Sequence, residues 1–154
     1  MEAAGAGHLR AVGQLRTSPP PPTAQELNVW ELNTSADLHT LRAQLHEALT
    51  GNPLIDGERL DDIPERMVLV ATELASNTIR HGRPPTLIRL LCSDDEFVLD
   101  VADHDLENLP ELSDTRPINA GGRGLLLAMS FSIDVGWYAT DDTKHVWASF
   151  PRVA

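Results

Sequence analysis

Apolar and polar residues alternate along residues 27–33, the period of a strand. Ser35 is placed to cap a following helix, in which Leu38, Leu41, Leu45, Ala48 and Leu49 recur at three and four residues. Gly51, Asn52 and Pro53 end that helix, and residues 52–58 read as a loop. A longer helix is expected from about Asp61 or Pro64 to His81, with Ile63, Met67, Val70, Leu74 and Ile79 on its buried side. Gly82 stands where a C-terminal glycine cap belongs, and Pro84-Pro85 forbids continuation. Two β-rich runs follow, 87–92 and 97–102, with Asp94-Asp95 turning between them. Residues 103–120 are polar, acidic and irregular, with Pro110 and Pro117, a length that marks a functional lid in a compact domain. Gly121-Gly122-Arg123-Gly124 leads into a short buried helix at 125–129, and 133–139 with 145–150 form a closing hairpin. The order β, α, α, β, β, loop, α, β, β predicts a mostly antiparallel sheet with helices on one face, a two-layer α+β sandwich.

Ahead of these elements, residues 1–25 are rich in Ala, Gly and Pro and end in a run of four prolines at 19–22. They read as a disordered tail with a stiff polyproline exit, leaving 26–154 as one domain. In the 154 residues, 42% are apolar and few are aromatic, so the core should be large enough and mostly aliphatic. The tryptophans at 30, 137 and 147 fall in strands and read as core or sheet-face residues.

Charge narrows the function. The formal net charge is -11 and the pI about 4.8, which repels nucleic-acid phosphates and anionic lipid. A nucleotide would have to be held by local geometry against this field, with a divalent cation as the natural remedy. The single cysteine, Cys92, has no internal partner for a disulfide and reads as a small buried hydrophobe. No apolar run nears the roughly 18 residues of a membrane span, and no signal-peptide pattern opens the chain, so a cytoplasmic protein is expected.

Three features carry candidate chemistry. Glu73, Asn77 and His81 are spaced four and four, one line along a helix that is otherwise apolar around Glu73 and Asn77. A carboxylate and a carboxamide there suit Mg²⁺; the plainer reading is a solvated stripe. Gly121, Gly122 and Gly124 let backbone approach a phosphate at the start of a helix near Leu125, and Arg123 adds a charge; the plainer reading is ordinary turn chemistry. Asp103 ends a hydrophobic strand, where it can accept from an exocyclic amine or simply terminate the strand. His39 and His46 lie seven apart on the first helix with no ligand set around them, and read as surface residues.

The run Glu73-Leu74-Ala75-Ser76-Asn77-Thr78-Ile79-Arg80-His81-Gly82 resembles the N box of the GHKL ATP-binding superfamily. Val101-Ala102-Asp103 resembles the start of its first glycine box, and Gly122-Arg123-Gly124-Leu125-Leu126-Leu127 its second. The resemblance covers about residues 27–150 and is most similar to the anti-sigma-factor serine kinase branch. It implies a Bergerat-type ATP-binding fold, with a mostly antiparallel mixed sheet, and ATP with Mg²⁺ as cofactors. Asn77 would then coordinate Mg²⁺, Glu73 would act as general base, and Asp103 would bind the adenine amino group. Gly122, Gly124 and the N–H of Leu125 would hug the phosphates, with Arg123 beside them. His81 and Arg80 would be pocket wall or phosphate neighbours, and residues 105–120 the lid.

In that branch the substrate is a serine on an anti-anti-sigma factor and the competing partner is a sigma factor. Pairing into a homodimer through the first strand and helix is implied as well. The sequence departs from the family at Asp105, where a glycine is common. From Asp94 to Asp114 there are nine acidic residues and no Lys or Arg, a solvated lid or a docking face for a basic partner region. Two other readings stand beside the kinase: a nucleotide-binding module that regulates by contact alone, and a detached histidine-kinase catalytic domain.

Overall fold

In the computed structural model the described residues are 17–51, 63–107, 127–128 and 130–152. The first strand, β1 (Gln25–Leu32), is followed by helices α1 (Asp37–Thr50) and α2 (Ile63–His81). The remaining strands are β2 (Thr86–Cys92), β3 (Glu96–Asp103), β4 (Asp134–Ala139) and β5 (Lys144–Pro151). They form one antiparallel sheet in the order β1-β2-β3-β5-β4. The expected α+β sandwich is present. Among the described residues the five named strands pair antiparallel, and Thr17 adds a lone parallel bridge to Trp137 of β4.

Helix α1 begins differently from expectation. Its N-cap is Ala36, with no side-chain cap, and Ser35 does not serve as one. Asp37 in the first turn instead ties down the entering chain, its Oδ2 accepting the N–H of Asn33 at 2.8 Å and of Thr34 at 3.2 Å. Those backbone donors hold its carboxyl below the ordinary aspartate value. The other end closes as read: Gly51 has φ 77 and donates its N–H to the Glu47 carbonyl at 2.7 Å.

The buried face of α1 is Leu41, Leu45 and His46, while Ala48 is exposed. His46 is therefore not the surface residue that its sequence context suggests: it is 4% exposed. Its Nε2 lies 2.9 Å from Oε2 of Glu65, itself 6% exposed, on α2. The two helices meet through this polar pair as well as through apolar contacts. A partner on the facing helix is what makes a buried histidine tolerable. His39 is exposed, as expected.

Helix α2 lies against α1 on one side and against β2 and β3 on the other. Met67, Val70, Ala71 and Ala75 are fully buried, and Leu74 nearly so. They meet Ile88, Leu90, Leu99, Val101, Ala148 and Phe150 from the sheet. Residues 127, 128, 130 and 131 are helical, and Ala128, fully buried, packs on the same core. Cys92 departs from expectation: it ends β2 at the margin of the core, is half-buried, and receives Nη1 of Arg152 at 3.7 Å.

The sheet's other face is not a plain solvated surface. Leu91, Val98 and Trp147 form a second apolar cluster there, joined by Ala24 and Tyr138. Residues 17–24, from the proline-rich leader, reach this side: Ser18 donates its N–H to the Trp137 carbonyl at 2.8 Å and accepts from Trp147 Nε1 at 2.7 Å. Beside the cluster Asp100 is 0% exposed. Its Oδ2 accepts from Arg89 Nη2 at 2.9 Å and from the Tyr138 hydroxyl at 2.7 Å. Its Oδ1 pairs with His145 Nδ1 at 2.7 Å, and His145 Nε2 pairs with Thr143 Oγ1 at 2.8 Å. The Tyr138 and His145 rings stack with centroids 4.3 Å apart. No helix among the described residues is long and apolar enough to cross a membrane.

Candidate functional site

The second half of α2 carries Glu73 and Asn77, both half-buried, and then His81, which is exposed. Helical spacing of four puts them in line. Asn77 is the unusual member. Its Oδ1 is buried and accepts no hydrogen bond among the described residues. A buried amide oxygen without a donor costs on the order of 1–3 kcal/mol, so such atoms are rare unless a ligand meets them. A neutral hard oxygen of this kind suits Mg²⁺, which takes one or two protein ligands and completes its shell with water and phosphate.

The helix end is not the glycine cap expected. Gly82 continues the helical bonding, its N–H donating to the Thr78 carbonyl at 2.8 Å, and Gly51 is the one glycine with positive φ among the described residues. Gly82 is needed for close approach instead. A Cβ there would fall on the Asp103 carboxylate and 2.8 Å from the Thr78 carbonyl oxygen. The missing side chain is what lets the end of β3 abut the end of α2. Replacing Gly82 by Ala should thus displace Asp103 and cost about 1–3 kcal/mol by overpacking. Thermal melting reads the loss, and an unchanged melting point would refute the close-approach role.

Asp103 is 2% exposed. Its Oδ1 accepts the backbone N–H of Asp105 at 2.8 Å and lies 3.8 Å from Lys144 Nζ. Burial pushes its carboxyl above the ordinary aspartate value, against the pull of the Asp105 N–H and of the Lys144 charge. Next to it, His104 donates its N–H to the Arg83 carbonyl at 3.2 Å, and its Nδ1 is buried with no partner among the described residues. Asp105, 4% exposed, accepts the N–H of Glu107 at 3.1 Å. No described non-glycine residue has positive φ. The position of the departure from the family pattern therefore requires no glycine backbone freedom here, and Asp105 serves as a local turn residue.

The structure thus joins two of the three sequence features. Asn77 and Glu73 lie on the helix whose end touches Asp103 through Gly82. Gly121, Gly122, Arg123, Gly124 and Leu125 lie outside the described residues, as does the lid beyond Glu107. Sequence reasoning missed Lys144 and His104. Lys144 is opposite Asp103 in the β3–β5 register, a relation readable only once those strands are paired.

Comparison with known proteins bears on the same elements. No curated protein matches the chain. The model of the histidine kinase-like ATPase domain matches residues 32–150, from the last residue of β1 into β5. Domains of this GHKL type bind ATP, typically with Mg²⁺. With a match over most of its length and a five-stranded α+β fold of the corresponding kind, this chain belongs to the histidine kinase-like ATPase domain family.

Proposed function

We propose that the chain is an ATP-dependent protein-serine kinase of the anti-sigma type, cytoplasmic, acting on an anti-anti-sigma partner and sequestering a sigma factor. The observation that carries the ATP end of this reading is the unsatisfied Oδ1 of Asn77, one turn beyond Glu73 and on the helix that abuts Asp103. Asn77 offers that oxygen as a metal ligand, and bound Mg²⁺ would neutralise charge on the transferring phosphoryl group. Asp103 accepts from the adenine amino group. Gly122, Gly124 and the N–H of Leu125 would hold the phosphates, with Arg123 adding a charge there and His81 and Arg80 as pocket wall or phosphate neighbours. Glu73 takes the proton of the serine hydroxyl as its oxygen bonds to the γ-phosphorus and ADP leaves. Phosphoryl transfer asks mainly for positioning and charge neutralisation, which this set supplies.

Incubation with labelled ATP and candidate partners tests the proposal. Label transfer to a serine is expected, and Glu73→Ala should slow it by about a hundredfold or more while ATP binding persists. Transfer that is indifferent to Glu73 would remove the general base from the scheme.

One observation favours a second reading, a module that binds nucleotide and regulates by contact. Asp105 places a buried second carboxylate beside Asp103, which opposes the charge of a triphosphate. Calorimetry with Mg-ATP separates the two: binding without turnover in the presence of partner supports the module.

A further inference from the structure

The carboxylate assigned to the adenine amine has a cation beside it. Lys144 opens β5 directly opposite Asp103, the last residue of β3. Its Nζ lies 3.8 Å from Asp103 Oδ1, and its side chain is only 12% exposed. An exposed lysine would be a weak screen at the pocket mouth. A largely buried one presents a fixed, partly desolvated donor. Asp103 has capacity for a further partner: a carboxylate offers about four lone-pair sites, of which the Asp105 N–H takes one, while Lys144 stands at ion-pair distance. The end of the β3–β5 pair therefore shows an acceptor and a cationic donor as neighbours, in a chain whose net charge of -11 makes such a local cation notable.

We propose that Lys144 is a base-reading residue that donates to ring N1 of adenine while Asp103 accepts from the adjacent amino group. The proposal rests on the ATP site described above and deepens it. Adenine carries a donor and an acceptor side by side on that edge, the complement of Asp103 and Lys144. Guanine and hypoxanthine carry the reverse, a carbonyl oxygen and an N1–H. They would set oxygen against the carboxylate and N–H against the ammonium. Sites that leave buried polar groups mispaired discriminate strongly. Lys144 thus serves both to hold Asp103 and to exclude the oxo-purines.

The test compares Mg-ATP, Mg-GTP and Mg-1-deaza-ATP, in which N1 is replaced by C–H, by calorimetry on the full chain. The parent should bind 1-deaza-ATP about tenfold or more weakly than ATP, the effect of losing one charge-assisted bond, and GTP more weakly still. Lys144→Met should lose about the same factor toward ATP and bind ATP and 1-deaza-ATP alike. Lys144→Gln, which keeps a donor and can satisfy Asp103, should recover part of the preference, and nucleotide-free melting checks that each variant is folded. Equal binding of ATP and 1-deaza-ATP by the parent overturns the role of Lys144. So does a Lys144→Met chain that keeps the parent's full preference. No binding of any nucleotide by the parent rejects the ATP site itself, a different failure.

Discussion

Replacing Asn77 by Ala leaves the nucleotide-free chain at least as stable as its parent and removes the stabilisation that Mg-ATP confers. The two halves follow from one atom. Oδ1 of Asn77 is buried and unsatisfied among the described residues, so it is a cost to the empty protein of order 1–3 kcal/mol. Alanine relieves that cost and improves helix propensity at a position inside α2 by about 0.5 kcal/mol. With ligand the sign reverses. Saturating nucleotide at about 100 times Kd stabilises by roughly 2.7 kcal/mol, and a chain of this size gains about 2–4 °C per kcal/mol. The parent should therefore rise by roughly 5–10 °C with Mg-ATP, and by much less when Mg²⁺ is chelated. The variant should rise little under either condition. A variant that melts well below the parent without nucleotide would mean that Asn77 is a structural residue. A variant that retains the full Mg²⁺-dependent rise would show that the metal is held elsewhere.

Asp100→Ala should produce a large loss of stability. The carboxylate is 0% exposed and satisfies three donors from three strands: Arg89 on β2, Tyr138 on β4 and His145 on β5. Removing it leaves the Arg89 guanidinium, whose side chain is only 30% exposed, with Glu26 at 3.5 Å as its remaining carboxylate. Breaking such a buried ion pair from one side costs about 3–5 kcal/mol, or roughly 6–20 °C in melting temperature. Thermal and urea unfolding measure it, and a loss under about 1 kcal/mol would show that the network contributes little.

The same group sets an acid limit. Burial alone would raise the Asp100 carboxyl, but His145, Tyr138 and Arg89 outweigh it and hold it below the ordinary value. A folded value below the unfolded one means that the stabilisation is complete above the ordinary aspartate value. It is lost as pH falls from there through the depressed folded value. The parent should therefore lose stability on acidification in that range, and Asp100→Asn should show a flatter profile there. The partner hydroxyl moves the opposite way: burial and the Asp100 carboxylate push Tyr138 far above its ordinary value.

Local order in this protein is written in short-range pattern. The three- and four-residue spacing of Leu41, Leu45, Met67, Val70 and Leu74 marked both helices, because burial on one side of a helix needs only that period. Alternation and turn residues marked β2, β3, β4 and β5 to within a residue or two. The run from Glu73 to Gly82 identified the superfamily, because the four-residue interval places side chains on one helix face with no help from the rest of the chain.

Partnerships between distant residues were decided by the tertiary structure. Gly82 reads as a cap from its neighbours, yet its role comes from Asp103, which arrives on another element. His46 reads as exposed until Glu65 on the facing helix satisfies it. Asp100 is an acid within an apolar strand, and what makes it tolerable is three donors from across the sheet. Lys144 stands beside Asp103 only because β5 enters the sheet between β3 and β4. Periodicity marks the buried side of α2, but not of β1, where Leu27 and Val29 are 51% and 48% exposed. Whether a polar group on a buried side is satisfied depends on register and on packing at a few ångströms, which residues far apart in the chain settle together.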